Sequence, residues 1–251
     1  EVVMAFTCHG FTGLSHLYHD FYRTNLCRSK FVSEVQRPVL INSWEAAFMD
    51  FDDVKLVEIA KAAKNMGVDL LVMDDGWFGK RDDDNSGLGD WYVNESKIKC
   101  GLHKLVEQIN GLDMKFGIWF EPEMVSEDSD LYRAHPDWAM QIPGRHAVRS
   151  RNQMALDMSR REVQDYLIEK INAILDDANI YYVKWDINRS LTDIWSNDLP
   201  GEKQGEVYHR YILGLYRVMD AIILTHPDIL FEGCSGGGGR YDPAMLHYYP
   251  Q

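Results

Sequence analysis

The spacing of apolar positions changes at Pro38. Before it, Leu14, Leu17, Tyr18, Phe21, Tyr22 and Leu26 recur at intervals that keep one face of a helix apolar. That spacing predicts an amphipathic helix over 14–27, after a strand-like run at 1–7 that Gly10 and Gly13 break. Beyond Pro38, short continuous apolar runs alternate with helical periods. Strands are predicted at Val39–Ile41, Val68–Met73, Met114–Phe120, Ala155–Met158, Ile180–Trp185 and Ile229–Glu232. Helices are predicted over 53–66, 102–110, 127–135, 160–177, 206–225 and 244–249. Asp52 and Ser159 read as N-caps, Gly67 and Gly111 follow helix ends, and Pro136 and Pro227 act as stops.

Strands that are apolar throughout are buried on both faces, which indicates a parallel sheet covered by helices. Two folds fit: a doubly wound sheet and a (β/α) barrel. The polar residues separate them. Asn42 and Trp44 follow the first strand, Asp74 and Asp75 the second, and Trp119, Glu121 and Glu123 close the third. Asp157 ends the fourth, Lys184, Asp186 and Asn188 the fifth, and Glu232 and Cys234 the sixth. A barrel brings the C-terminal ends of all its strands to one mouth. A doubly wound sheet concentrates ligand contacts at one switch point, and no GxGxxG follows the first strand here. We therefore expect an α/β fold of the (β/α) TIM-barrel type, with six units in series.

Length and charge narrow the function. A chain of 251 residues has the size of one such barrel. A net charge of −13 disfavours phosphate backbones and anionic lipid surfaces, so neither nucleic acid nor membrane is an expected partner. Cys8, Cys27, Cys100 and Cys234 form no CxxC pair, which excludes a zinc ribbon and reads as reduced thiols in a cytoplasmic protein. Because the first residue is Glu1 rather than Met, an N-terminal piece is expected to be absent.

The sharpest chemistry lies in Lys184-Trp-Asp-Ile-Asn-Arg189. Alternation on a strand puts Lys184, Asp186 and Asn188 on one face. A cation two residues from a carboxylate favours the anion, so Asp186 suits a nucleophile; a structural Lys–Asp pair fits the segment equally well. Asp74-Asp-Gly-Trp77 offers paired carboxylates that could share a metal, share a proton or accept hydrogen bonds from hydroxyls. The acidic turn Asp82–Asp84 lacks EF-hand spacing, and a polyol reading fits better than a metal. Tryptophans at other strand ends (Trp44, Trp91, Trp119, Trp185) could supply faces for a pyranose, although any single one fits a core as well. Cys234-Ser-Gly-Gly-Gly-Gly-Arg240 lets backbone approach a ligand closely. Without a Walker lysine it is a poor phosphate cradle. Cys234 has no histidine partner near it in sequence and does not read as a nucleophile.

Together with Asn42-Ser-Trp-Glu-Ala46, Asp74-Asp-Gly-Trp-Phe-Gly79, Gly117-Ile-Trp-Phe-Glu-Pro-Glu-Met-Val125 and Arg151-Asn-Gln-Met-Ala-Leu-Asp157, these two segments resemble glycoside hydrolase family 36, the retaining α-galactosidases or melibiases. All six stretches occur in family order. The resemblance implies a catalytic (β/α)8 TIM-type barrel over 37–251 with about six of its eight units present, truncated after the sixth, and the end of a β-sandwich domain with a linker helix over 1–36. It implies that Asp186 is the nucleophile that forms a covalent galactosyl-enzyme. It implies that Asp74 and Asp75 hold galactose hydroxyls, that Trp44 and Trp119 are aromatic walls, that Arg151, Lys184 and Asn188 surround the sugar, and that Cys234 and Gly237 lie near the 2-hydroxyl. No metal or other cofactor is implied. The implied partner is a small α-galactoside such as melibiose or raffinose, with a homotetramer for the full-length protein.

One family feature is not met. A retaining hydrolase needs a second carboxyl group as acid/base, which the family carries in a Trp-x-Ser-Asp stretch after the glycine-rich unit. Gln251 precedes the place where it would fall. Asp242 opens the preceding helix and is no substitute. The chain is thus expected to be a fragment that hydrolyses α-galactosides poorly or not at all. A raffinose-synthase-type galactosyl transferase and a non-catalytic galactoside-binding protein are the alternatives; a carboxylate-rich metal hydrolase is more distant.

Overall fold

The computed structural model describes residues 3–32 and 36–251. Seven β-strands and eight α-helices are present among them, in the order α1 (Gly10–Phe21), β1 (Leu40–Asn42), α2 (Trp44–Ala47), α3 (Asp53–Asn65), β2 (Leu70–Met73), α4 (Leu102–Asn110), β3 (Lys115–Phe120), β4 (Met124–Val125), α5 (Asp130–Ala134), β5 (Met154–Ala155), α6 (Arg161–Asp177), β6 (Tyr182–Trp185), α7 (Val207–Thr225), β7 (Leu230–Gly233) and α8 (Pro243–Tyr248). Five strands form one all-parallel sheet in the order β1-β2-β3-β6-β7. It is an arc of the expected barrel.

Strand alternation gives this arc two faces. Leu71, Met73, Phe116, Ile118, Val183, Trp185 and Phe231 pack into the large core beneath the helices. The helices reach it with periodic stripes: Leu102, Leu105, Val106 and Ile109 on α4, and Val163, Leu167, Ile171 and Leu175 on α6. The opposite face is inside the barrel. There Leu70, Val72, Tyr182 and Leu230 form a small cluster with Phe31. Gly117 shares that parity. A Cβ at Gly117 would lie 2.9 Å from the Tyr182 Cβ, so the position stays open for the tyrosine ring.

Several predicted ends hold. Asp52 caps α3 by accepting the Lys55 N–H at 2.8 Å, and Gly67 takes φ +85° behind it. Asp242 caps α8, accepting from the backbone of Ala244 and Met245. Ser159 does not cap α6. Arg160 occupies that position, while the Ser159 hydroxyl donates to Asp157.

Two expectations fail more substantially. The predicted fourth strand, Ala155–Met158, is not in the barrel sheet. Met154–Ala155 pairs antiparallel with Met124–Val125, and β3 pairs directly with β6. The arc therefore holds five strands rather than six. A short apolar run cannot show which partner it will pair with, and this one lies beside the loop after β3. The strand-like run at 1–7 is also not a strand: residues 3–7 have no regular structure, and residues 1 and 2 lie outside the described residues. The predicted helix over 14–27 starts earlier, at Gly10, and its last turn, Tyr22–Leu26, is a π-helix. No helix among the described residues is long and apolar enough to cross a membrane.

Candidate active site

Parallel strands place all their C-terminal ends on one edge, and inward parity selects the side chains that project there. Asn42, Asp74, Trp119, Lys184 and Asp186 continue the parity of the inner face. A cavity of about 330 Å³ opens at this edge, lined by Trp44, Glu45, Asp74, Asp75, Trp119, Arg151, Lys184, Asp186, Asn188, Cys234, Gly236 and Gly237. All ten residues singled out from the sequence thus face one hollow, together with Glu45 and Gly236.

Asp186 is 4 % exposed. Its Oδ2 accepts hydrogen bonds from Trp119 Nε1 at 3.1 Å and from Asn188 Nδ2 at 2.9 Å. Its Oδ1 accepts from the Ile187 N–H at 2.9 Å. Every one of these donors is neutral. The nearby ammonium goes elsewhere: Lys184 Nζ sits 2.9 Å from Asp74 Oδ2. Sequence spacing had paired Lys184 with Asp186, but the curl of the sheet turns it toward β2. Burial works against the Lys184 ammonium, but the Asp74 carboxylate outweighs it and holds the proton more firmly than usual.

The two adjacent carboxylates have separate anchors. Asp74 also accepts from Asn42 Nδ2 at 2.5 Å. Asp75 is clasped by Arg81, with Nε to Oδ1 at 3.0 Å and Nη2 to Oδ2 at 2.9 Å, in a pair almost wholly buried. Burial raises the Asp75 carboxyl against the pull of that guanidinium. Sequence reasoning missed Arg81, for nothing in its local pattern marked it. Among the described residues no group of three His, Cys, Asp or Glu converges as a metal site.

The glycine-rich segment forms the floor. Gly236 and Gly237 have φ of +54° and +97°, conformations open to glycine at no steric cost. The far end of the loop is anchored by Arg240, whose guanidinium makes a two-point contact with Glu123 at 2.8 and 3.0 Å. Glu123 is fully buried and also accepts from Tyr211 and Trp185. Burial, then the charge of Asp186, pushes the Cys234 thiol up to about 11, so it stays protonated at neutral pH.

Not every tryptophan serves the cavity. Trp44 and Trp119 line it. Trp77, Trp91 and Trp185 are at most 1 % exposed and belong to the core beneath the helices. Trp185 follows Lys184 directly and so points to the other face of β6. Arg151 is half exposed at the rim, in the left-handed region at φ +52°.

The mouth of this partial barrel thus gathers carboxylates, an ammonium and aromatic side chains at the C-terminal ends of its strands. The family model for melibiases matches residues 1–251. The chain belongs to the melibiase family. It is 55% identical over its whole length to the α-galactosidase AgaA of Geobacillus stearothermophilus, of which it covers 34%. It is 53% identical to the bifunctional α-galactosidase/sucrose kinase AgaSK of Mediterraneibacter gnavus, covering 26% of that protein. A crystal structure of a GH36 AgaA variant in complex with raffinose superposes with a TM-score of 0.93 over 95% of this chain and 33% of that one. The chain thus spans about a third or less of the length of these relatives.

Proposed function

We propose that the protein is a retaining α-galactosidase acting on terminal α-linked galactose in raffinose-type oligosaccharides, with Asp186 as nucleophile. The observation that carries this is the setting of Asp186. It is the buried carboxylate of the cavity whose hydrogen bonds all come from neutral groups, while Asp74 and Asp75 are neutralised by Lys184 and Arg81. An anion without a cation clamped to it keeps its lone pairs available for attack on an anomeric carbon. Departure of the leaving group leaves a galactosyl ester on Asp186, and water then releases galactose with its α configuration kept.

Lys184 and Asp74 form a donor–acceptor pair suited to adjacent sugar hydroxyls, and Trp44 and Trp119 offer apolar faces to the ring. The leaving-group oxygen needs a proton from a second carboxyl group about 5 Å from the nucleophile. We assign that role to the aspartate of the family's Trp-x-Ser-Asp stretch, which residues 1–251 do not contain. Residues 1–36 we read as the approach from a preceding domain. The relatives' raffinose and stachyose complexes support an oligosaccharide substrate.

The test is proton NMR of raffinose hydrolysis by the protein expressed from its complete gene. α-Galactose should appear first and mutarotate later, and Asp186→Asn should abolish turnover while leaving the circular dichroism spectrum unchanged. First appearance of β-galactose, or an active Asp186→Asn protein, would refute the assignment. Transfer of galactose to an added sugar in preference to water would favour the synthase-type reading.

A further inference from the structure

Three consecutive residues at the end of β3 grip the turn that carries Asp186. Trp119 donates its indole N–H to Asp186 Oδ2. The Phe120 carbonyl accepts the Asp186 backbone N–H at 2.8 Å. The side chain of Glu121 accepts, through one oxygen, both the backbone N–H of Asn188 and the Gln153 amide. Asn188 in turn donates to Asp186. The first two grips concern the nucleophile itself. The third does not touch it, and nothing in the chemistry above uses Glu121.

Glu121 is 1 % exposed, and no Lys, Arg or His among the described residues makes an ion pair with it. Among the charges that act on it are Asp186, which repels it, and Arg81 and Arg189, whose guanidiniums are bonded to other partners. Arg81 is spent on Asp75 and the Ser86 carbonyl, and Arg189 on the carbonyls of Val148, Gln153 and Ser190 and the Thr192 hydroxyl. Two buried carboxyl groups are therefore linked through one asparagine with no cation clamped between them, so one of them should keep a proton. Asp186 accepts three hydrogen bonds spread over both oxygens; Glu121 accepts two, both on Oε1. The better-solvated anion is Asp186.

We propose that Glu121 is a positioning residue for the nucleophile: a neutral carboxylic acid that fixes the Asp186–Asn188 turn from behind and leaves Asp186 as the only unpaired negative charge beside it. This rests on Asp186 being the nucleophile. Burial, with the charge of Asp186 adding to it, pushes the Glu121 carboxyl up to about 7, against the pull of its hydrogen bonds from Asn188 and Gln153. Loss of the Asp186 charge, as in a galactosyl ester, removes that repulsion and makes Glu121 more acidic.

The experiment is infrared difference spectroscopy of the protein expressed from its complete gene, with ¹³C-labelled glutamate to identify the carbonyl band. A protonated glutamic acid band is expected at mildly acidic pH, titrating near neutrality and absent from Glu121→Gln. In Asp186→Asn the same band should titrate at clearly lower pH. In steady-state assays, Glu121→Gln keeps an acceptor at that site and should stay near the parent. Glu121→Ala removes it and should lower kcat roughly tenfold or more with KM nearly unchanged. An ionised Glu121 in acid, an identical titration in Asp186→Asn, or an unaltered kcat in Glu121→Ala would overturn the proposal. If Glu121→Ala fails to fold, the two spectroscopic arms still decide. A protein with the expected band and shift but no galactosidase activity would count against the nucleophile assignment and leave the proton on Glu121 established.

Discussion

Asp186 and Glu121 are two buried acids of similar exposure with opposite settings, and their contrast shows how neighbours divide roles between like groups. Three neutral donors solvate Asp186. Glu121 has two, and no cation, so its proton is held up to about 7. The raised value has a consequence for stability. The folded state binds the Glu121 proton more tightly than the unfolded chain does, so its contribution is full below the ordinary glutamate range and is lost as pH rises through about 7. A displacement from the ordinary glutamate value of 4.5 to about 7 corresponds to about 3 kcal/mol between those limits. Urea denaturation across this range should show the parent losing that increment relative to Glu121→Gln, whose side chain does not titrate. Parallel curves for the two proteins would contradict it. Most of the site residues named by motif were legible because they sit at the C-terminal end of an apolar run, whereas Arg151 and Gly237 came from the family resemblance alone. Glu121 was visible in the same way, at the end of its strand, but its function depends on Asn188 and Gln153, which are 67 and 32 residues away and reach it only through the fold. Arg81 gave no signal at all, since its partner is chosen by a turn rather than by a strand period.

At the scale of elements, parity decides what a strand can offer. On β6, Lys184 faces the cavity and Trp185 the helices, a separation fixed by one residue of register. Helix periods were read closely because a single face had to be apolar over several turns: α4 runs over the predicted residues, and α3, α6 and α7 end within a residue of expectation. The fourth strand was misplaced because a short apolar run carries no information about its pairing partner. Where that strand leads into α6, packing is tight. The Met158 carbonyl lies against Gly214 of α7, so that a Cβ there would be 1.8 Å from the oxygen. Alanine in an open helix interior is worth about 1 kcal/mol over glycine. Here the collision with rigid backbone should reverse the sign, and Gly214→Ala should destabilise by about 1–3 kcal/mol in chemical denaturation. A stabilised variant would show that the α6–α7 contact is looser than described.

At the scale of the whole molecule, five parallel strands bring Asp186, Trp119, Asn188 and the Lys184–Asp74 pair to one edge. The two flanks of that arc differ. At β7, the Gly233 N–H donates to the Gln251 carbonyl at 2.8 Å, while β1 has β2 as its neighbour on one side. The inner face holds only a small apolar cluster, so most of the packing described here lies between sheet and helices. The role proposed for Asp186 can be read directly. The protein expressed from its complete gene would be treated with a fluorinated galactosyl fluoride, which forms the glycosyl ester but releases it slowly. It would then be digested with a protease and its peptides sequenced by mass spectrometry. The label should sit on Asp186, and galactose added in excess should slow its attachment. A label on any other residue, or rapid turnover of natural substrate with no labelled intermediate, would contradict the central claim.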